Sequence, residues 1–218
     1  VAIKGVIFDS DGTLVDSEPV AARLLQRLLA ERGIELDHRD VLQRFRGVQF
    51  AVFVGQLCEQ YAQLDAEPFM HEFRARSLDA FRAGLEPMPG AVPFVQSLAL
   101  DKCVASNGPV DKIHTCLGQV GLLESFAGRI VSAYEVQAWK PAPGLIVEAA
   151  RVMGLPPAEC VLVDDSHAGV EAGLAAGSQV IGYGTEDFSP YLGRANFHRA
   201  EDYPRVAQVV AKLAAAAN

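Results

Sequence analysis

Positive charge is in deficit in this 218-residue chain: 19 lysines and arginines face 27 aspartates and glutamates, a formal net charge of −8. A broad nucleic-acid footprint needs the opposite balance, so no nucleic-acid partner is expected. Small anions remain possible partners, because a local basic pocket can sit in an acidic protein. Long apolar runs are also missing. None is long enough to span a bilayer, so no membrane partner is expected. No charged stretch followed by an apolar one opens the sequence, and no secretion signal is expected. Cysteine is sparse: Cys58, Cys103, Cys116 and Cys160 form no C-x-x-C pair. Cys103 and Cys160 fall in apolar, strand-like runs. Buried free thiols in a reducing cytoplasm are the expected state, not a disulfide or a zinc site. His38, His71, His114, His167 and His198 lack metal-ligand spacing. No internal repeat or low-complexity tract is visible, and nothing in the sequence sets an oligomeric state.

What is present is a chain that is 50% hydrophobic, enough for one sizeable domain or a core with a small insert. Five short apolar runs read as buried strands: Lys4–Phe8, Lys102–Ser106, Arg129–Ser132, Cys160–Val163 and Gln179–Gly182. Near-continuous Val and Ile without alternation fits parallel strands covered on both faces. Helical segments follow most of them. Pro109 opens Val110–Val120 and Gly121 closes it; Gly154 closes Leu145–Met153; Ser166 caps a helix running to Gly177. The alternation predicts an α/β, doubly wound, Rossmann-like parallel sheet. One interval breaks the rhythm. From Asp16 to Arg82 no buried strand is evident, while Val20, Leu24, Leu25, Leu28 and Leu29 make an amphipathic stripe. Further helical stretches lie at Asp40–Phe45, Phe50–Tyr61 and Pro68–Phe81. The expected division is therefore a catalytic core of residues 1–15 and 83–218 and an inserted helical domain of residues 16–82.

Ligands of open parallel sheets bind at the carboxyl ends of strands, near the switch point. Four polar signals fall at or just after such ends: Asp9 with Asp11, Ser106-Asn107-Gly108, Lys140 in Trp139-Lys140-Pro141-Ala142-Pro143, and Asp164-Asp165-Ser166. Each has an ordinary structural reading as a helix cap, a turn or a solvated loop. Together they argue for chemistry. Three or more carboxylates at one sheet edge repel unless a cation or proton sits among them. A hard divalent cation such as Mg²⁺ takes carboxylate oxygens, water and often a substrate phosphate. A lysine and a hydroxyl beside it provide what a phosphoryl group needs.

The strings D-S-D-G-T-L-V-D, S-N-G-P, K-P-A-P and V-D-D-S, in that order, resemble the four motifs of the haloacid dehalogenase superfamily. The insert after the first motif resembles that of the subclass with a helical cap. C-V-A-S-N-G-P, W-K-P and V-D-D-S are similar to the sugar-phosphate phosphatases of the 6-phosphogluconate phosphatase type, a relative of the β-phosphoglucomutase group. The resemblance implies a Mg²⁺-dependent phosphatase acting on a small phosphorylated metabolite through an aspartyl-phosphate. Asp9 is then the nucleophile and Asp11 the general acid, later the general base. Mg²⁺ is held by Asp9, the backbone carbonyl of Asp11 and Asp165, with Asp164 acting through a coordinated water. Ser106 and Lys140 grip the phosphoryl oxygens, and backbone N–H groups around Ser10 and Asn107 add an anion nest. Gly144 follows K-P-A-P where relatives often carry an acid, so the partner of Lys140 stays open.

The insert narrows the choice further. It carries nine arginines and no lysine, which disfavours a phosphonate-cleaving relative that needs a Schiff-base lysine there. Arg46, in Phe45-Arg46-Gly47-Val48-Gln49-Phe50, lies in a stretch that resembles the substrate-facing loop of the sugar-phosphate mutases; Arg46 and Glu18 are the candidate substrate contacts. The mutases carry an arginine where this chain has Phe50 and a histidine where it has Ala21, so a plain phosphatase is favoured over a mutase. A phospho-accepting signalling receiver would need neither the helical insert nor an acid two residues after its acceptor. Intact Asp9, Asp11, Lys140 and Asp165 count against a silent interaction domain.

Overall fold

Gly5–Phe8 (β1) is buried on every residue, which suits a central strand covered on both faces. Its partners in a computed structural model describing residues 2–45 and 50–216 are Asp101–Ser106 (β2) on one side and Cys160–Asp164 (β4) on the other. Ile130–Ser132 (β3) flanks β2, and Gln179–Tyr183 (β5) and Phe197–Ala200 (β6) extend the other edge. The sheet is parallel throughout, in the order β3-β2-β1-β4-β5-β6. The two halves of the chain wind away from β1 in opposite directions, which puts the switch point at the carboxyl ends of β1, β2 and β4. The expected doubly wound sheet is thus present. The five expected strands are found within a residue or two, and the sixth, β6, was not anticipated. Its sequence Phe-His-Arg-Ala is half-buried in the middle, as an edge strand is, and carries no continuous apolar run.

Helices Ala91–Ser97 (α5), Val110–Gln119 (α6), Ala133–Val136 (α7), Gly144–Val152 (α8) and His167–Ala176 (α9) fill the crossovers. Ser166 caps α9 as expected: its Oγ accepts from the Gly169 N–H. The chain divides into two compact units, Val1–Val15 with Glu86–Asn218, and Asp16–Leu85. The second contains Ser17–Ala30 (α1), His38–Phe45 (α2), Phe50–Gln60 (α3) and Ala66–Gly84 (α4). α4 runs past the expected end at Phe81. The core of this unit gathers Leu24, Leu25, Leu28, Val41, Phe53, Leu57 and Phe69. Phe50 packs against Phe73 with ring centroids 4.4 Å apart and Ala21 is buried, so both positions that argue against a mutase pack apolar surface. All four cysteines are free. Cys103, Cys116 and Cys160 are buried, but Cys58, on α3, is only half-buried, against expectation.

Candidate active site

Asp9 follows β1 directly, and its N–H donates to the carbonyl of Val163 on β4. Because Phe8 pairs with Val163, Asp9 and Asp164 stand level at the ends of adjacent strands. The next turn is tightly fixed. The N–H groups of Leu14 and Val15 both donate to the Ser10 carbonyl, and the Gly12 N–H donates to Val15. Gly12 adopts φ +75°, and a Cβ there would lie 2.1 Å from Oδ2 of Asp165. Only glycine both makes this turn and leaves room for that carboxylate. Thr13 completes the arrangement: its Oγ1 donates to Asp165 Oδ1 at 2.8 Å, while its carbonyl accepts from the buried phenol of Tyr203.

Lys140 is the cation of this cluster. Its Nζ lies 2.6 Å from Asp9 Oδ1 and 2.7 Å from Asp164 Oδ2, with the side chain 3% exposed. Burial lowers its pKa, but Asp164 and Asp9 more than reverse that and hold it above the ordinary lysine value. Asn107 clamps the lysine's backbone, its Oδ1 accepting from the Lys140 N–H and its Nδ2 donating to the Lys140 carbonyl. The partner of Lys140, open in the sequence, is therefore Asp164 together with Asp9, and Asn107 positions the segment. Asp164 is fully enclosed; its Oδ1 accepts from both the N–H and the Oγ of Ser166. A Cβ on Gly169 would collide with it at 1.8 Å. With both oxygens held by protein donors, Asp164 is suited to anchoring Lys140 more than to binding an ion directly.

Oxygens of Asp9, Asp164 and Asp165 come within 4.8 Å of one another. Three carboxylates against one ammonium leave two negative charges, what a divalent cation neutralises. Burial, opposed by Lys140 and reinforced by Asp164 and Asp11, pushes the Asp9 carboxyl up to about 7. Burial with the charges of Asp9 and Asp164 also raises Asp165 well above the carboxylate range. Carboxylates this reluctant to ionise together, made of hard oxygen donors, fit a hard cation.

Ser106 ends β2 and is buried, its Oγ accepting from the Gly108 N–H at 3.1 Å. Asp11 points elsewhere: its Oδ2 accepts from Lys112 Nζ at 2.8 Å, and its carboxylate is outside the metal-sized cluster. The structure therefore brings together Asp9, Asp164, Asp165 and Lys140, with Asn107 clamping the Lys140 backbone and Asp11 two residues along the same turn. Glu18 sits half-buried in the first turn of α1, in the other unit. Arg46 lies outside the described residues. Sequence reasoning missed Thr13, Lys112 and Tyr203. The D-G-T string carried a signal for Thr13; the other two carried none. His167, assigned no chemistry, hydrogen-bonds through Nδ1 with the Tyr191 hydroxyl.

A parallel sheet with carboxylates, a buried lysine and a serine at its switch point defines a class of hydrolase. The chain belongs to the haloacid dehalogenase-like hydrolase family, whose model matches residues 3–177. It is 37% identical over 182 residues to 6-phosphogluconate phosphatase of Escherichia coli, a match covering 82% of this chain and 81% of that protein. A haloacid dehalogenase family hydrolase of Deinococcus radiodurans, crystallised with bound phosphate and sodium, superposes with TM-score 0.78 at 29% identity, covering 99% of each chain. A putative β-phosphoglucomutase of Thermotoga maritima superposes with TM-score 0.78 at 26% identity, covering 95% of this chain and all of that one. No helix among the described residues is long and apolar enough to cross a membrane.

Proposed function

We propose that the chain is a Mg²⁺-dependent phosphatase that hydrolyses a small sugar phosphate through an aspartyl-phosphate on Asp9. The observation that carries this reading is Lys140 bridging Asp9 and Asp164 inside a cluster whose net charge suits one divalent cation. Asp9 attacks phosphorus, and the leaving oxygen takes a proton from Asp11. In the second half-reaction Asp11 takes a proton from the water that attacks the acyl phosphate. Ser106 Oγ and Lys140 Nζ hold the phosphoryl oxygens as charge develops on them. Asp9, Asp165 and the Asp11 backbone carbonyl would hold Mg²⁺, with Asp164 behind them. The ion would draw charge from the phosphoryl oxygens. Free thiols suit a reducing, cytoplasmic setting.

Release of inorganic phosphate from a panel of sugar phosphates tests the reading; no release from any of them would sink it. The similarity to 6-phosphogluconate phosphatase makes 6-phosphogluconate the first compound to try. Its carboxylate is a second anionic group, and Arg46 is our candidate to clasp it. Arg46→Ala is expected to lower kcat/KM about ten- to a hundredfold on 6-phosphogluconate and little on p-nitrophenyl phosphate. An equal loss on both compounds removes Arg46 from recognition.

Cation binding has a readout apart from turnover. Mg²⁺ at about a hundred times its Kd adds roughly 2.7 kcal/mol. In a chain this size that is a rise of roughly 5–10 °C in melting temperature. Protons compete for the same carboxylates, and Asp9 holds its proton up to about pH 7. The rise should therefore be full at pH 8 and shrink at pH 5. A shift of equal size at both pH values, or one that survives Asp165→Asn, counts against this site.

A further inference from the structure

The geometry points to Lys112 as a positioning residue that aims the Asp11 carboxylate at the leaving oxygen and stabilises the anion formed when the proton departs. The inference rests on the proposed acid role of Asp11 and adds a residue to it. Lys112 is the third residue of α6, at the end where a helix disfavours cations. Nothing in local helix energetics selects a lysine there. Its ammonium instead reaches across 101 residues of sequence to Asp11 Oδ2, at 2.8 Å.

Three facts give this contact a role beyond surface charge pairing. First, the backbone of Asp11 is fixed by the Ser10–Val15 turn, so the remaining freedom is in its side-chain torsions. An ammonium on one oxygen favours one of them. Second, the selected orientation carries the carboxylate away from the cluster of Asp9, Asp164 and Asp165, so the would-be acid stays off the cation. Third, the pair borders the phosphate side of the site. A Cβ placed on Gly108 would lie 3.4 Å from Ser106 Oγ, 3.8 Å from Lys112 Cδ and 3.9 Å from Asp11 Oδ2. Gly108 thus lies against Ser106, Lys112 and Asp11 at once.

The step balances. The bond from phosphorus to the bridging oxygen breaks and its electron pair goes to that oxygen. The oxygen takes the proton from Asp11 Oδ1, and the carboxylate left behind is paired through Oδ2 with Lys112. Orientation favours transfer, and the ammonium lowers the energy of the anionic product.

The side chains of Lys112 and Asp11 are 27% and 32% exposed, so the pair adds little to stability and Lys112→Met is expected to fold. The test compares kcat/KM on p-nitrophenyl phosphate and phenyl phosphate, which differ mainly in how much the leaving group needs a proton. Lys112→Met is expected to lose about tenfold more on phenyl phosphate than on p-nitrophenyl phosphate. Lys112→Arg, which keeps the charge, should recover most of that difference. Asp11→Asn run alongside separates the two readings. If it shows the leaving-group bias and Lys112→Met does not, the role of Lys112 is overturned and that of Asp11 stands. If neither shows it, the acid assignment fails and the role of Lys112 fails with it.

Discussion

Asp9→Asn is expected to abolish turnover, by at least about 10³-fold or roughly 4 kcal/mol of transition-state stabilisation, while leaving the fold intact. The amide is nearly isosteric with the carboxylate and can still accept from Lys140, but it is a poor nucleophile. Lys140 keeps a counter-charge in Asp164, 2.7 Å away. The stability change has a definite sign. The Asp9 carboxyl sits at about 7 in the fold against an ordinary 3.8, because burial disfavours its charge. Its contribution to stability is therefore complete below about pH 4 and lost as pH rises through about 7. Without Mg²⁺ at pH 8, the Asn variant should melt no lower than the parent, and its relative advantage should shrink as the pH is lowered toward 4. Phosphate release and thermal melts over that pH range measure both effects. Turnover within tenfold of the parent would remove Asp9 as nucleophile.

Lys140→Gln should differ in kind, losing activity and stability together. Asp9 and Asp164 would then face each other in a buried site with no ammonium between them. Breaking a buried pair by removing one partner costs about 3–5 kcal/mol, because the remaining charge is left uncompensated. Melting temperature without Mg²⁺ should fall accordingly, and turnover should fall by about 10²–10³-fold, as when a preorganised donor to a developing charge is lost. Adding Asp164→Asn to Lys140→Gln should restore part of the stability but none of the activity, since the surplus charge goes while the phosphate donor stays absent. A Lys140→Gln protein as stable as the parent would mean that the ammonium does not hold the carboxylates in place. The contrast between Asp9→Asn and Lys140→Gln separates a residue that reacts from one that both holds the phosphoryl group and supports the site.

Much of the core was legible because its determinants are local. The runs of Val and Ile in β1 and β4 can lie only where both faces are covered, and polar residues directly after them can lie only at a strand end. Asp9, Ser106 and Asp164 therefore read as lying at one sheet edge. Gly12 announced a turn, and Ser166 announced the start of α9. β6 was missed for the complementary reason. An edge strand with His198 and Arg199 at its centre is stabilised by pairing with β5, and pairing leaves no pattern in four residues.

The amino-acid sequence by itself determined most of the elements that form, and that carboxylates, a lysine and a serine meet where the strands end. Only the tertiary structure decided who holds whom: Thr13 on Asp165 across 152 residues, Asn107 on the Lys140 backbone across 33, Lys112 on Asp11 across 101. Secondary structure follows from energies set within a turn or two of the chain, which a reader of residues can weigh. A side-chain pairing depends on which strand lies beside which and in what register, and those are fixed by burial of the whole sheet. Lysine at position 112 thus reads as one more charge on a helix until β1 and β2 are set side by side.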